Sequence, residues 1–382
     1  MAAGDLTVFK GGKILMTKLT LTPDDIQPLL EGLAIMGTGG GGNPSWGQMI
    51  LKQDVRMGRT WSIIAPEDVP DAATVVSGGI MGSVKALEAI GFENVLQQWE
   101  MRFPLLDVTR VMAGLLKRPI DAIVPFEAGG LNTPVILSLG ARAGIPVIDG
   151  DALGRSAPET NMTSFIGYGI NIPPMPLIDH YGNVVIVQEA AAPTYPDEIG
   201  RFVVSKGGAL GANNHYPMTG AQLKQAVIPH TITQALELGR SVEAVRQQGS
   251  DPVAAVAEKL GSRYRFQGMV TSLREEEHLG FYFTTVTLEG QGRQAELVIK
   301  NETMLLREQG EVVCMFPDMV VMLEPDTGRG VMSIELREGL ELVLLALPCH
   351  PRLQAAAMSD TGRAAMGPAR FGHPNLAYQP MS

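Results

Sequence analysis

The sequence predicts an α/β protein: an N-terminal, Rossmann-like, mostly parallel sheet with flanking helices, followed by a smaller all-β barrel or sandwich. Three observations predict this. Over the first 170 residues, short apolar runs that end in glycine or acid alternate with helical stretches. From about Arg265 the apolar runs become short, strand-like and separated by Gly, Pro and Asp. The 382 residues, 45% hydrophobic and 18% charged, carry enough apolar surface for two cores.

Each element has a local reason. Residues 22–33 read as the first helix, with Thr22 as N-cap, Pro23 at the first helical position, and Asp24 and Asp25 near the positive end. The helix stops at the run Gly37 to Gly42. Residues 73–77 (ATVVS) form a buried strand that ends at Gly78–Gly79, and a helix follows over about 82–90. Residues 121–126 (DAIVPF) repeat the pattern, leading through Glu127 and Gly129–Gly130 into a helix at Asn132 or Thr133. A third strand, 145–148, ends at Asp149-Gly150-Asp151. Residues 219–246 are helical, with Thr219 as cap and Pro229 breaking the run. Strands then follow, including GFYFTTVTL, AELVIKNE and LELVLLAL. The α/β domain is placed at 20–250 (core 20–170), the boundary near Gly249–Pro252 and the β-rich domain at 258–348. Residues 349–382 are expected to be an irregular tail that packs back on the body.

Composition removes several function classes. Forty acidic against thirty basic side chains give −10, and no basic stripe is present, so a nucleic-acid partner is not expected. Cys314 and Cys349 are too few for a disulfide framework or a four-thiolate zinc site. Residues 1–18 lack a signal-peptide core, and no window approaches twenty uninterrupted apolar residues. The expectation is a cytoplasmic protein away from membranes, assembled from identical copies.

Chemistry is expected where strand ends meet. In open parallel sheets, ligands bind beyond the carboxyl ends of the strands, where turns and helix N-termini gather. Three predicted strand ends deliver Gly78 and Gly79, Glu127 with Gly129 and Gly130, and Asp149 with Asp151. The following helices would favour a small anionic substrate. The run Gly37-Thr38-Gly39-Gly40-Gly41-Gly42 satisfies G-x-G-x-x-G but follows a helix, and Asn43 stands where a phosphate loop needs Lys, so no nucleotide is expected. Its amides either cradle a carboxylate or oxyanion, or the run is a tight connection in which backbone packs on backbone. Asp149 and Asp151, with Glu159 and Asn161 after them and Glu127 and Asn132 nearby, form an oxygen-rich group. It could divide acid and base roles, or hold a divalent cation such as zinc on Asp149 and Asp151. The plainer alternative is a solvated turn, with Asp149 paired to Arg155. Of six histidines, His215 after Asn213–Asn214, in a glycine-rich loop, is the best candidate for a base or ligand, and no local zinc spacing occurs.

Taken in order, several strings resemble one family. They are Gly37-Thr38-Gly39-Gly40-Gly41-Gly42-Asn43-Pro44, Phe126-Glu127-Ala128-Gly129-Gly130-Leu131-Asn132, Pro146-Val147-Ile148-Asp149-Gly150-Asp151 and Gly154-Arg155-Ser156-Ala157-Pro158-Glu159. Later strings, Lys300-Asn301-Glu302, Pro317-Asp318, Arg337-Glu338-Gly339 and Tyr378-Gln379-Pro380, continue the pattern. Together they resemble the S-methyl thiohydantoin desulfurase domain family, over roughly residues 20–380. Ser156 stands where the pattern has Ala, and Pro348-Cys349-His350 also departs from it. The resemblance implies an α/β domain before a β-rich one, and a five-membered cyclic amide or thioamide substrate bearing a carboxylate. It also implies company with hydantoinase/oxoprolinase subunits, either as an enzyme or as a non-catalytic partner or regulatory subunit. On the enzyme reading, Asp149 or Asp151 would serve as metal ligand or base and Glu127 would transfer protons. Gly39 to Gly42 would hold the oxyanion or carboxylate, with Arg155 as a second anion contact.

Overall fold

The computed structural model describes residues 18–82, 87, 91–278 and 281–381. The helix expected over 82–90 lies mostly outside them. Strands in the first half are β1 (Lys18–Thr20), β2 (Ser62–Ile64), β3 (Thr74–Gly82), β4 (Ala122–Pro125), β5 (Val147–Ile148), β6 (Gly150–Asp151), β7 (Met175–Asp179), β8 (Val184–Val187), β9 (Leu210–Thr219) and β10 (Ile228–Pro229). Among the described residues, one eight-stranded sheet runs β1-β2-β5-β4-β3-β9-β7-β8. Its centre, β2-β5-β4-β3, is parallel, and β1, β9, β7 and β8 add antiparallel flanks. Parallel pairing sends the carboxyl ends of β3, β4 and β5 to one edge, as the alternating pattern requires.

Helices cover this sheet. The first, α1 (Ile26–Met36), follows a 3-10 turn over Pro23–Asp25, and the Asp25 carboxylate accepts from Thr22 N at 2.7 Å and Oγ1 at 2.8 Å. The run 219–246 divides as expected: α2 (Gly220–Ala226), the short strand β10 at Pro229, then α3 (Thr231–Gln247). Helices over Pro44–Arg56, Phe92–Met101, Pro104–Leu116 and Tyr195–Lys206 were not foreseen. One apolar cluster (Val76, Ile123, Val147) fills one face of the sheet. Another (Val75, Val124, Ile148) lies on the opposite face and takes in Met304, Phe316 and Phe371 from the second half. This alternation along β3 and β4 is the period-two signature of strands buried on both sides.

The second half contains β11 (Tyr264–His278), β12 (Phe281–Gly290), β13 (Arg293–Lys300), β14 (Glu302–Glu308), β15 (Glu311–Met315), β16 (Met319–Leu323) and β17 (Glu341–Leu347). They form an antiparallel, seven-stranded sheet in the order β15-β14-β13-β12-β11-β17-β16, curled into a half-barrel around Phe266, Leu297, Leu306 and Leu344. Lys300 and Glu302 flank the β13–β14 turn, where Asn301 takes φ +58°, a conformation Asn tolerates.

Three expectations need correction. Gly78–Gly79 does not end a strand; β3 runs through it to Gly82. A side chain at Gly78 would meet the Asn214 amide at 2.3 Å, so the glycine permits close approach of β9. His215 is not in a loop but in β9, paired with Ser77. The tail is not irregular: it forms helices at Pro351–Met358 and Asp360–Met366, and its end returns to Asp318, whose carboxylate accepts from Tyr378 Oη at 3.0 Å and Met381 N at 2.7 Å. Among the described residues, no helix is long and apolar enough to cross a membrane.

Candidate functional site

The glycine run and the turn after β4 pack backbone against backbone. Thr38, Gly39, Gly41 and Gly42 all take positive φ. A Cβ on Gly41 would lie 2.5 Å from Gly129 Cα, and one on Gly40 would overlap the Glu302 carboxylate at 1.9 Å. Gly41 O accepts from Leu131 N at 2.9 Å, and Gly41 N donates to Glu302 Oε1 at 3.3 Å. Glu302 thus occupies one of the amides expected to cradle a substrate carboxylate or oxyanion. Ser156, the departure from the family pattern, donates to Ala128 O at 2.7 Å in the same junction.

Glu127 stands beside this junction, 3% exposed. Its carboxyl group accepts from Asn132 Nδ2 at 2.5 Å and from Ala157 N at 2.9 Å. Burial pushes it up to about 8, and the neighbouring Glu302 carboxylate adds to the rise. Burial likewise raises Glu302 to about 7, although Arg155 and the Gly41 amide pull it back, and its Oε2 has no partner. Two buried carboxyl groups that feel each other lose their protons as a pair. Asp151 is the third acid. Its Oδ1 accepts from Leu153 N at 2.6 Å and Gly154 N at 2.5 Å, its Oδ2 is unpartnered, and burial lifts it to about 6.

These shifts link stability to pH. A carboxyl group whose pKa rises on folding binds its proton more tightly when folded. That stabilisation is complete below the unfolded value of about 4.5 and is lost as pH rises through about 7 to 8. Urea unfolding between pH 5 and 8.5 should therefore show stability falling with pH, and the fall should be shallower in Glu127→Gln. Equal slopes in the two proteins would contradict the buried, protonated state.

Asp149 does different work. Its Oδ1 accepts from Ile232 N (3.1 Å) and Thr233 N (3.0 Å), its Oδ2 from Thr233 Oγ1 (2.6 Å), and His230 Nδ1 lies 3.4 Å away. It caps α3 from outside the helix, at a point where His230 takes φ +61°. Neither the metal role nor the Arg155 pairing fits this arrangement. Among the described residues, no group of three or more His, Cys, Asp or Glu side chains is placed to hold a metal ion. Asp149→Ala should cost about 1–2 kcal/mol in thermal or urea unfolding, and Asp149→Asn much less. Equal losses would remove the capping explanation.

Arg155 and Glu159, expected at the ligand, are also engaged within the protein. The fully buried guanidinium donates to Ser156 O, Asp318 O, Thr303 O and Thr38 Oγ1, and lies 4.8 Å from the Phe316 ring centre. Glu159 is held by Lys300 and Arg370. Asn43 caps the following helix through Ser45 N at 2.9 Å. Gly130 packs against Pro44.

The last part of the site is the β3–β9 floor. Ser77 pairs with His215 and Gly79 with Asn213, and each pair shares the face that Phe126 borders. The Ser77 hydroxyl and His215 Nδ1 are buried without partners, and burial pushes His215 down to about 3, so it is neutral. A Cβ on Gly79 would find only Asn132 Oδ1 within 4 Å, at 3.9 Å. Asn132, bound to Glu127, therefore joins the floor to the acids. Phe126 and Asn132, at the floor's border, are only partly buried. A separate groove of about 520 Å³, lined in part by Glu31, Asn43, Arg246, Arg329 and Glu335, contains none of Glu127, Asp151 and Glu302.

Thus Glu127, Asp151, Gly40, Gly41, Gly79, Gly129, Asn132 and His215 gather at one sheet edge, together with the unforeseen Glu302, Ser77 and Asn213. Glu302 had a signal in the sequence: Lys300-Asn301-Glu302 interrupts an otherwise apolar run.

Comparison with known proteins agrees with this architecture. Residues 24–189 match the model of the S-Me-THD-like N-terminal domain, and residues 192–381 that of the S-Me-THD-like C-terminal domain. A crystal structure of a protein from Chromobacterium violaceum is similar at TM-score 0.74 and 21% identity, over 95% of this chain and 100% of that one. That likeness concerns the fold. No curated protein matches the sequence.

Proposed function

We propose that this chain, which belongs to the S-Me-THD-like family, is a hydrolase-type enzyme that replaces sulfur on an S-alkylated five-membered cyclic thioamide (a cyclic thioimidate) such as an S-methylthiohydantoin carboxylate. The observation carrying the reading is that two buried carboxyl groups, Glu127 and Glu302, stand beside the glycine junction, both raised by burial to near neutral pH. Such a pair offers an acid and a base at once. In the step envisaged, the ionised member takes a proton from water as its oxygen adds to the ring carbon bearing sulfur. The protonated member supplies a proton to the departing sulfur, and the C–S bond breaks. One water is consumed; the products are the hydantoin and the thiol. Asn132 positions Glu127, and the Asp151 charge adds to the proton affinity of Glu127.

The test is to incubate purified protein with S-methylthiohydantoins, hydantoins and oxoproline while following ring absorbance and free thiol. Thiol released in step with hydantoin formation supports the proposal. No turnover of any member of the ring series would overturn it.

A further inference from the structure

We infer that the β3–β9 floor is a subsite for the uncharged face of a cyclic ureide, seated over Gly79 and hydrogen-bonded by Ser77, Asn213 and His215. The inference rests on the proposed function and names which part of the substrate goes where.

The argument begins with space. Gly79 lies inside a buried strand, yet a Cβ built there has one neighbour within 4 Å, Asn132 Oδ1 at 3.9 Å. Most strand glycines in this chain face the opposite situation; at Gly78, Gly82 and Gly290 a Cβ would overlap its neighbours. The glycine at 79 therefore keeps a space open rather than admitting another backbone. Flat rings fit such a place, since nothing projects from the strand beneath them.

The second observation is unmet hydrogen bonding. Buried polar groups in folded proteins nearly always have partners, and each one left without costs about 1–3 kcal/mol. Here the Ser77 hydroxyl and His215 Nδ1 are both buried and unpartnered on adjacent strands. Asn213 is 3% exposed and pairs directly with Gly79. By strand geometry, the Ser77–His215 pair lies roughly 7 Å along the same face from the Gly79–Asn213 pair. That span suits the two edges of a five-membered ring with its substituent oxygens.

The third observation is that the floor's own side chains carry no charge, the nearest ionised group acting on them being Asp197, which is held by Arg201. Ser77, Asn213 and Asn132 are neutral, and desolvation keeps His215 neutral too. A hydroxyl, amides and an imidazole nitrogen offer alternating donors and acceptors, the complement of the N–H and C=O groups of a ureide. A carboxylate would be poorly placed here, with Glu127 one amide side chain away. The ring is thus read at the floor, and the carboxylate of an anionic substrate extends away from it.

The experiment separates binding from turnover by using unsubstituted hydantoin, which has no sulfur to lose. Calorimetric titration should show wild-type protein binding hydantoin. Affinity should fall at least tenfold in Gly79→Val and severalfold in Ser77→Ala, while Asp149→Asn, a change in the α3 cap, binds within about threefold of wild type. Gly79→Ala, which adds only a methyl, provides a milder variant should valine prevent folding, and circular dichroism checks both. Hydantoin binding that Gly79→Val, or folded Gly79→Ala if valine does not fold, and Ser77→Ala leave unchanged would overturn the floor assignment, with the desulfurising activity still standing on its own assay. Failure of wild type to bind hydantoin while it still turns over an S-methylthiohydantoin would overturn the ureide subsite alone. Loss of both would remove subsite and function together.

Discussion

Glu127→Gln is expected to lower kcat on the proposed thiohydantoin substrate by roughly 10²–10⁴-fold, the usual worth of a positioned acid or base. KM should change little. Glutamine keeps the size of the side chain and can still accept from Asn132 Nδ2 or Ala157 N, so the loss reports the missing proton. Glu302→Gln should produce a loss of similar size, because it removes the partner carboxyl group whose charge raises the proton affinity of Glu127. The double variant should be little worse than either single one, since groups acting as a unit are not additive. Steady-state release of thiol measures all three. A Glu127→Gln protein with more than half of wild-type kcat would end the acid–base assignment.

The second large effect is structural. Arg155→Met is expected to destabilise the protein by about 3–5 kcal/mol, the cost of breaking a buried charged network on one side. Four acceptors, three of them main-chain carbonyls, would lose their donor at once. The guanidinium also joins the two halves of the chain, linking Ser156 and Thr38 to Thr303 and Asp318. It is the buried positive charge that holds down the Glu302 pKa as well, so its removal should leave Glu302 more fully protonated. Urea unfolding monitored by tryptophan fluorescence would show the loss; a change below about 1 kcal/mol would mean that these contacts contribute little.

The site was partly legible in the sequence. The strand ends at Glu127 and Asp149 could be read because alternation of apolar runs and glycine turns implies parallel strands, and parallel strands end at one edge. Glycines at 40, 41 and 129 could be seen to need close approach, but not to what; the answer, the Glu302 carboxylate and a second glycine turn, lies 261 residues away for Gly41 and Glu302. Asp149 and Arg155 illustrate the converse. Both have the side chains of a functional group, and both are engaged within the protein, one capping α3 and the other binding carbonyls from three segments. Residue type could not decide this, because the partners of a buried polar group are chosen by tertiary packing. His215 looked loop-borne because of its Asn and Gly neighbours, yet β9 tolerates Asn213 and Asn214 where they face Gly79 and Gly78 of β3. Ser77 had no motif around it. Its importance arises only from a cross-strand register, which local pattern does not specify.

Infrared difference titration of the carboxyl groups from pH 5 to pH 9, on wild type and on the Glu127→Gln and Glu302→Gln variants, bears most directly on the two buried carboxyl groups. The structure leads to carboxyl signals that lose their proton between about pH 7 and 8 in wild type, with one signal removed by each substitution and the Glu127 signal shifted down in Glu302→Gln. Wild-type protein with every carboxyl group ionised by about pH 5.5 would contradict the account.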